Sequence, residues 1–410
     1  MLRFRADQEQ RATNVELFFD LVFVFAITQL ASLLKNDLSF AGAGRVLFLL
    51  LVVWWAWIYT TWMTNWFDPE HLSVRLVLIV CMLAAFLMAI AIPDAFGSRA
   101  PLFAGGYVLL QIVRNTFVVL KTDDSEPMHR SWVRMWIGSL WVGAIWIAGA
   151  LAPDEGARAA IWIAALLLDY GGPLAGFWAP GLGRTDVTEW ELEHGHFVER
   201  FQTFVIIVLG ETIVATGTVA SQLGFTTERV LALAVAFLGT AVYWWLYFDE
   251  VAERSHARLA EAGPKLGILA RDAFTYLHIP IVAGILVTAV GDALVIAHPG
   301  DPLHGEQLVA LLAGPVLYMV GHVAFELRMT GSVPPTRVGA ALVVAALAPL
   351  GTMLPVVATW ALVYGTLTVV AALETYARLW GRPEGEPRRG WPLAERPRQL
   401  PALRLRRVLK

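Results

Sequence analysis

The sequence predicts an all-α polytopic membrane protein with about 12 transmembrane helices, arranged as two parallel six-helix repeats. Composition is the first reason: the 410 residues are 57% hydrophobic and only 16% charged, whereas soluble domains carry about 25% charged residues. The second reason is length, because the apolar residues form runs of about 20, enough for a helix to cross a bilayer. The third reason is a helix motif that occurs twice.

Twelve apolar runs account for the predicted spans. Backbone groups in lipid have no water to bond, so each run must form a helix. Pro93-Asp94 ends the third run, Gly171-Gly172-Pro173 breaks the sixth, and Pro355 separates the last two. The runs cover residues 15–34, 44–63, 72–93, 101–120, 131–152, 157–175, 197–221, 228–250, 270–297, 305–327, 336–357 and 359–380.

The distribution of Lys and Arg predicts the orientation in the membrane. With the N-terminus inside, 25 of the 31 Lys and Arg residues fall in inner segments, five in outer segments, and Arg114 within the fourth span. Such a bias favours both termini in the cytoplasm of a bacterial inner membrane. The apolar run after the polar first residues has no clear cleavage site, so we expect a retained helix and no signal peptide.

The duplicated motif reads VELFFDLVFVFAITQL over Val15–Leu30 and HFVERFQTFVIIVLGETIV over 196–214. Charged and tryptophan positions further along the two halves also match in order, and six spans per half give both halves the same orientation. The predicted segments are a cytoplasmic N-terminus (1–14), the first repeat (15–175), a cytoplasmic linker (176–196), the second repeat (197–380) and a basic tail (381–410).

The chain offers few partners beyond the bilayer. Cys81 is the only cysteine, which excludes an intrachain disulfide and a cysteine metal site. The Arg-rich tail is not a patch on a folded domain, so it indicates no nucleic-acid binding. The tail either binds anionic lipid headgroups or serves only to fix the orientation of the protein in the membrane. No cofactor is indicated, and the oligomeric state stays open, with a homodimer among the alternatives.

Carboxylates inside the spans are the candidate transport residues, because an ionised carboxylate is expensive in a bilayer and usually serves a function there. Glu16 and Asp20 share one face of span one, and we expect one of them to bind Arg200 of span seven. Glu211 lies deeper on the same stripe, next to Gly210, and is a proton carrier or cation ligand. The candidate pathway residues are Glu16, Asp20, His196, Glu199, Arg200 and Glu211.

Other polar residues within the spans form a secondary set. Arg114 requires an acidic partner, for which Asp20 and Asp169 are candidates. The histidine of this set, His322, could titrate near neutral pH. The acidic and histidine residues before span seven favour a hydrated helix cap over a metal site, because Arg200 would oppose a cation. Most tryptophans suit interfacial belts. The secondary set is Arg114, His322, Asp169 and Glu374.

With these residues the chain resembles the bacterial low temperature requirement A (LtrA) family, through ELFFDLVFVFAITQL (Glu16–Leu30) and HFVERFQTFVIIVLGETI (His196–Ile213). The resemblance implies a multi-spanning inner-membrane protein linked to growth in the cold or under stress. The first helix also resembles, more faintly, the FSDAVFAIAITLL-type helix of lysosomal potassium channels. Phe19 replaces the Ser of that motif, and Thr203 stands at the Asp position of the second copy.

Two classes of function follow. The symmetric halves with buried carboxylates favour movement of a proton, another cation or a small solute across the membrane. The alternative is a membrane-embedded enzyme or a stress-related scaffold that uses the acidic cluster on the cytoplasmic side.

Overall fold

The computed structural model describes residues 11–123, 127–185, 192–224, 226–249, 255 and 258–380. It is all-helical, and ten helices in the described residues are long and apolar enough to cross a membrane. The helices of the first part are α1 Asn14–Asn36, α2 Phe40–Trp66, α3 Leu72–Ala91, α4 Ala100–Lys121, α5 Pro127–Ala150 and α6 Glu155–Leu174. Those of the second part are α7 His194–Leu223, α8 Thr227–Phe248, α9 Leu266–Ala297, α10 Gly305–Thr330, α11 Pro335–Gly351 and α12 Val356–Trp380.

A polytopic membrane protein is therefore confirmed, but the predicted count of twelve spans is not, because ten of the described helices are long and apolar enough to span a membrane. The predicted span 336–357 also runs past Gly351, where α11 ends. Two helices fall outside the ten. Arg158, Asp169 and the Gly-Gly-Pro sequence make α6 less apolar than its neighbours. The α11 segment is shorter, because it breaks at Leu347 before Pro349. The predicted basic tail lies outside the described residues.

Two pairs of helices approach each other closely at glycines. A Cβ atom on Gly106 of α4 would lie 2.7 Å from the Ala84 carbonyl oxygen of α3. A Cβ atom on Gly314 of α10 would lie 2.7 Å from the Thr288 backbone nitrogen of α9. Small residues allow such contact between membrane helices, where packing replaces the hydrophobic effect as the force of association. The pairs α3–α4 and α9–α10 are thus fixed by backbone proximity.

Helix α2 supplies an aromatic core, which corrects the expectation of interfacial tryptophans for several residues. Trp54, Trp55 and Trp57 are each at most 2% exposed. Trp55 stacks on Tyr170 of α6 with a ring-centroid distance of 4.0 Å. The reason is that α2 is enclosed by other helices, so its indoles fill protein and not the lipid interface. Trp141 is 74% exposed, but it lies near the middle of α5 and so does not fit an interfacial belt either.

Helix α9 is composite. It begins with the short α-helix Leu266–Ala270, continues as a π-helix over Arg271–Tyr276, and becomes α-helical again at His278–Ala297. Trp54 of α2 donates its indole N–H to the Thr275 carbonyl oxygen over 2.8 Å. The π segment therefore joins the second part of the chain to the first, at the end of the bundle where α1, α5 and α9 begin and α2, α6 and α10 end. We call this the basic end, after the Lys and Arg residues of its loops.

Candidate functional site

The candidate site lies between α1 and α7, near the basic end. Glu16 and Asp20 are one turn apart on α1, and His196 and Arg200 are one turn apart on α7, so each pair projects from one helix face. No side chain of the four is more than 1% exposed. We call these four residues the charge cluster. It is enclosed completely by protein.

Arg200 and Asp20 form the strongest contact of the charge cluster. Nη1 of Arg200 donates to Oδ2 of Asp20 over 2.8 Å, and Nη2 donates to Oδ1 over 2.7 Å. The planar guanidinium and the carboxylate match in such a two-point contact, which is stronger than a neutral hydrogen bond. Trp57 of α2 adds a third donor, its indole N–H, to Oδ1 over 2.8 Å. The predicted pairing of Arg200 with a carboxylate of α1 is confirmed.

Glu16 holds the histidine of the cluster. His196 Nε2 lies 2.9 Å from Glu16 Oε1, and the backbone N–H and hydroxyl of Thr13 both donate to Oε2 over 2.9 Å. Asn65 fixes the histidine tautomer. Its carbonyl oxygen accepts from the Glu193 backbone N–H, so its amide nitrogen faces His196 Nδ1 at 3.3 Å. Nδ1 therefore accepts, and Nε2 carries the proton that bonds Glu16.

Glu16 and His196 add a second carboxylate and an imidazole to this ion pair. Glu16 Oε1 also lies 3.9 Å from Nε of Arg200. Charged groups are tolerated in a protein interior where opposite charges and hydrogen-bond donors lie this close. The charge cluster is therefore a buried site in which an imidazole lies within hydrogen-bonding distance of a carboxylate.

Glu211 lies on the same face of α7, deeper in the bundle. It is eleven residues beyond Arg200, which is roughly 16 Å along a helix at about 1.5 Å per residue. Its Oε2 accepts a hydrogen bond from Thr28 of α1 over 2.5 Å, and its side chain is only 3% exposed. Gly210 does not provide the close backbone approach that we expected, because no atom lies within 4 Å of a Cβ built there.

Glu199 lies apart from the charge cluster, although the sequence grouped it with His196 and Arg200. Its Oε2 accepts from the backbone N–H of Ala12 over 2.8 Å, and its side chain is half-buried. The helix geometry explains this position, because residues next to each other in sequence point about 100° apart around the axis. Glu199 therefore anchors the segment that precedes α1.

Arg114 and Asp169 are connected indirectly. Arg114 Nη2 donates to the Gln111 side-chain oxygen, Gln111 Nε2 donates to the Tyr107 hydroxyl over 2.8 Å, and that hydroxyl donates to Asp169 over 2.8 Å. Trp146 also donates to Asp169 over 3.0 Å. The prediction that Asp20 binds Arg114 is wrong. Asp169 is linked to Arg114 only through the side chains of Gln111 and Tyr107.

His322 and Glu374 are brought together by a residue that the sequence assigned only to topology. Arg337, which is 1% exposed, donates to Glu374 Oε2 over 2.9 Å and to His322 Nδ1 over 2.8 Å. Arg337 is the third residue of α11, so it lies inside a helix and not in a loop. The position of Arg337 inside a predicted span was the feature of the sequence that could have identified it as a buried polar residue.

Asp292 of α9 is a second buried polar residue that was not among the candidate site residues predicted from the sequence. It is 0% exposed, and its Oδ1 accepts from Trp360 over 2.6 Å and from Tyr364 over 2.9 Å. Its Oδ2 has no hydrogen-bond partner among the described residues. The described residues contain no group of three His, Cys, Asp or Glu side chains that could hold a metal ion.

A bundle of apolar helices around an enclosed ionic cluster defines a multi-pass membrane protein with a buried polar site between two of its helices. The model of the family described as "Bacterial low temperature requirement A protein (LtrA)" matches residues 11–372. The chain therefore belongs to this family, which confirms the resemblance predicted from the two motifs.

A curated relative matches the chain over most of its length. An "Uncharacterized protein" of Rhizobium meliloti (strain 1021) is 34% identical over 382 residues, which cover 92% of each chain. No solved structure matches the chain significantly. The fainter likeness to the lysosomal potassium channels is not supported by these comparisons.

Proposed function

We propose that the protein is a proton-coupled transporter that moves a cation or a small solute across the bacterial cytoplasmic membrane. The single observation that carries this proposal is the charge cluster, which is sealed between α1 and α7 and holds His196 Nε2 2.9 Å from Glu16 Oε1. A membrane enzyme would need reactive groups that face a substrate. The four side chains of the cluster instead bond one another and are closed to solvent, so we favour transport.

The proposal includes two six-helix repeats, α1–α6 and α7–α12, joined by the linker at residues 176–196. Glu211 and Thr28 are 183 positions apart and contact each other, and 183 is also the offset that aligns the two motifs. Equivalent positions can touch only near the axis that relates the repeats. The close pairs α3–α4 and α9–α10, at the aligned Gly106 and Gly314, support the same arrangement.

Proton coupling follows from the buried contact between Glu16 and His196. While the cluster is closed, these two side chains hold one proton between them over 2.9 Å. When α1 and α7 separate, water can solvate both carboxylates, and the proton is released. Closure and protonation are therefore linked, which is the requirement for coupling transport to a proton gradient.

The orientation and the biological role complete the proposal. The excess of Lys and Arg at the basic end supports a cytoplasmic location for this end and for both termini. The family description supplies the suggested role in growth at low temperature. A homodimer, and contact of the tail with anionic lipids, remain predictions.

Flux in proteoliposomes tests the function. We expect purified protein to dissipate an imposed pH gradient, read by a dye in the lumen, when one member of a panel of cations and small solutes is present on the opposite side. The reason is that proton release from the cluster requires the movement that carries the solute. Protein-free liposomes and denatured protein are the controls. Absence of coupled flux with a panel of alkali cations, amines, amino acids and sugars contradicts the proposal.

A further inference from the structure

An aromatic cleft opens at the basic end, where the first part of the chain meets the π segment of α9. The space between its walls measures about 420 Å³, a figure that includes open solvent. The cleft is lined by Tyr59, Trp62, Trp66, Trp132, Met135, Pro173, Phe177, Arg271 and Thr275. None of the residues of the charge cluster is among them.

We propose that this cleft binds a small planar aromatic compound that carries a carboxylate. The proposal concerns a ligand site separate from the charge cluster and does not depend on the transport function. The walls fit the ring of such a compound, since Trp66 and Trp132 meet edge to face with centroids 5.4 Å apart and Tyr59 meets Phe177 at 6.3 Å. Aromatic walls of this kind favour a flat, apolar guest.

The polar groups of the cleft fit an anion. Trp132 is 0% exposed, and its indole Nε1 has no hydrogen-bond partner among the described residues. An indole N–H can only donate, and a buried donor without an acceptor is costly. Arg271 adds a second donor to the lining. A carboxylate of the ligand supplies the acceptor that Trp132 lacks.

The guanidinium groups at the rim of the cleft also favour an anion. Arg271 donates to Asp272 Oδ1 over 2.7 Å, and Arg328 donates to Oδ2 of the same carboxylate over 3.0 Å. Two guanidinium groups therefore share one carboxylate and leave one positive charge. None of the described residues that line the cleft is acidic, and the Arg114 guanidinium already covers the Tyr59 ring at 5.1 Å. An organic cation is thus disfavoured.

The corresponding place in the second half is a smaller cleft with charged walls. On the proposed alignment, Tyr59 matches Asp249 and Pro173 matches Arg378, and both Asp249 and Arg378 line that second cleft. Asp249 and Arg378 are bound to each other, with Nη2 and Oδ1 2.5 Å apart. In the first half a tyrosine and a proline stand in these positions, so the aromatic cleft lacks this ion pair.

The backbone at the cleft is strained in a way that supports a functional site. Phe177 has φ = +49°, and it is the single non-glycine residue with positive φ in the described part of the chain. A bulky residue rarely adopts this conformation, and such strain is common where a ligand is held. The π segment that contributes Arg271 and Thr275 is a second irregularity of the type found at functional sites.

Calorimetry with three probes of one ring system tests the proposal on the full chain in detergent micelles. The probes are 2-naphthoate, 2-naphthalenemethanol and 2-naphthylmethylammonium. We expect 2-naphthoate to bind most tightly and the ammonium compound most weakly. Trp132→Phe keeps the ring and removes the donor, so it should weaken 2-naphthoate binding about tenfold, the effect of one hydrogen bond to a charged group.

Controls separate the cleft from partition into the micelle. Trp136→Phe removes an indole of the same helix that donates to Thr116 and does not line the cleft, so binding should be unchanged. Met135→Trp fills the cleft and should abolish binding, which provides a test if Trp132→Phe does not fold. The proposal is overturned if no probe binds above empty micelles, if the ammonium compound binds as tightly as 2-naphthoate, or if Met135→Trp retains full affinity.

Discussion

Replacement of Arg200 by methionine should destabilise the protein by about 3–5 kcal/mol, the effect of removing one partner of a buried ion pair. Asp20 would lose both of its short contacts to the guanidinium. Asp20 would then remain enclosed without its guanidinium partner. The loss is measured as a shift of the unfolding transition in mild detergent, in denaturant series that give a free energy of unfolding.

Two further variants identify the cause of this loss. Arg200→Met combined with Asp20→Leu removes both charges of the pair and should recover much of the stability, because apolar residues can replace a buried pair with little loss. Arg45→Met breaks a surface pair with Asp37, whose side chains are 50% and 39% exposed, and should change the free energy by less than about 1 kcal/mol. If Arg200→Met is as mild as Arg45→Met, the charge cluster does not stabilise the contact between α1 and α7.

Glu211→Gln should abolish proton-coupled flux in proteoliposomes and leave the protein folded and inserted. The amide retains the shape of the side chain and its hydrogen bond to Thr28, but it cannot carry a proton. Glu211 is the next carboxylate along the α7 face beyond the charge cluster, so it is the expected site of the following proton transfer. The readout is the rate of collapse of the pH gradient, with circular dichroism as the check on folding.

Glu199→Gln is the matched control for this experiment. Glu199 is on the same helix, is half-buried, and bonds the Ala12 backbone outside the cluster. Its amide variant should retain flux. Full flux by folded Glu211→Gln protein would mean that Glu211 only holds α1 and α7 together, since glutamine can hydrogen-bond Thr28 nearly as well.

The sequence predicted the elements whose signals are local. Runs of apolar residues define a membrane helix without reference to any other helix, so the spans were predictable. The contact of Arg200 with Asp20 was also predictable, because a buried guanidinium requires a counter-charge and only a few carboxylates lay at the right depth. The sequence nevertheless grouped Glu199 with Arg200, although adjacent residues point about 100° apart around a helix.

The features that could not be predicted from the sequence depend on which helices pack against each other. Trp57 bonds Asp20 and Asn65 orients His196 only because α2 packs beside α1 and α7. The burial of the α2 tryptophans has the same cause. Periodicity shows that a helix has two faces, but it does not show whether a face meets lipid or protein. The link between Arg114 and Asp169 was missed because a chain of hydrogen-bonded side chains produces no regular spacing in the sequence.

A reversible cross-link between the two halves tests the central claim that α1 and α7 separate during transport. The native Cys81 is buried, so cysteines placed at Ala12 and Glu199 can be joined selectively by a short bis-methanethiosulfonate. These positions are in contact through the Ala12 N–H and lie outside the charge cluster. The account predicts that the cross-linked protein has lost coupled flux in proteoliposomes and that reduction of the linker restores it. Full flux with the linker in place would contradict the account.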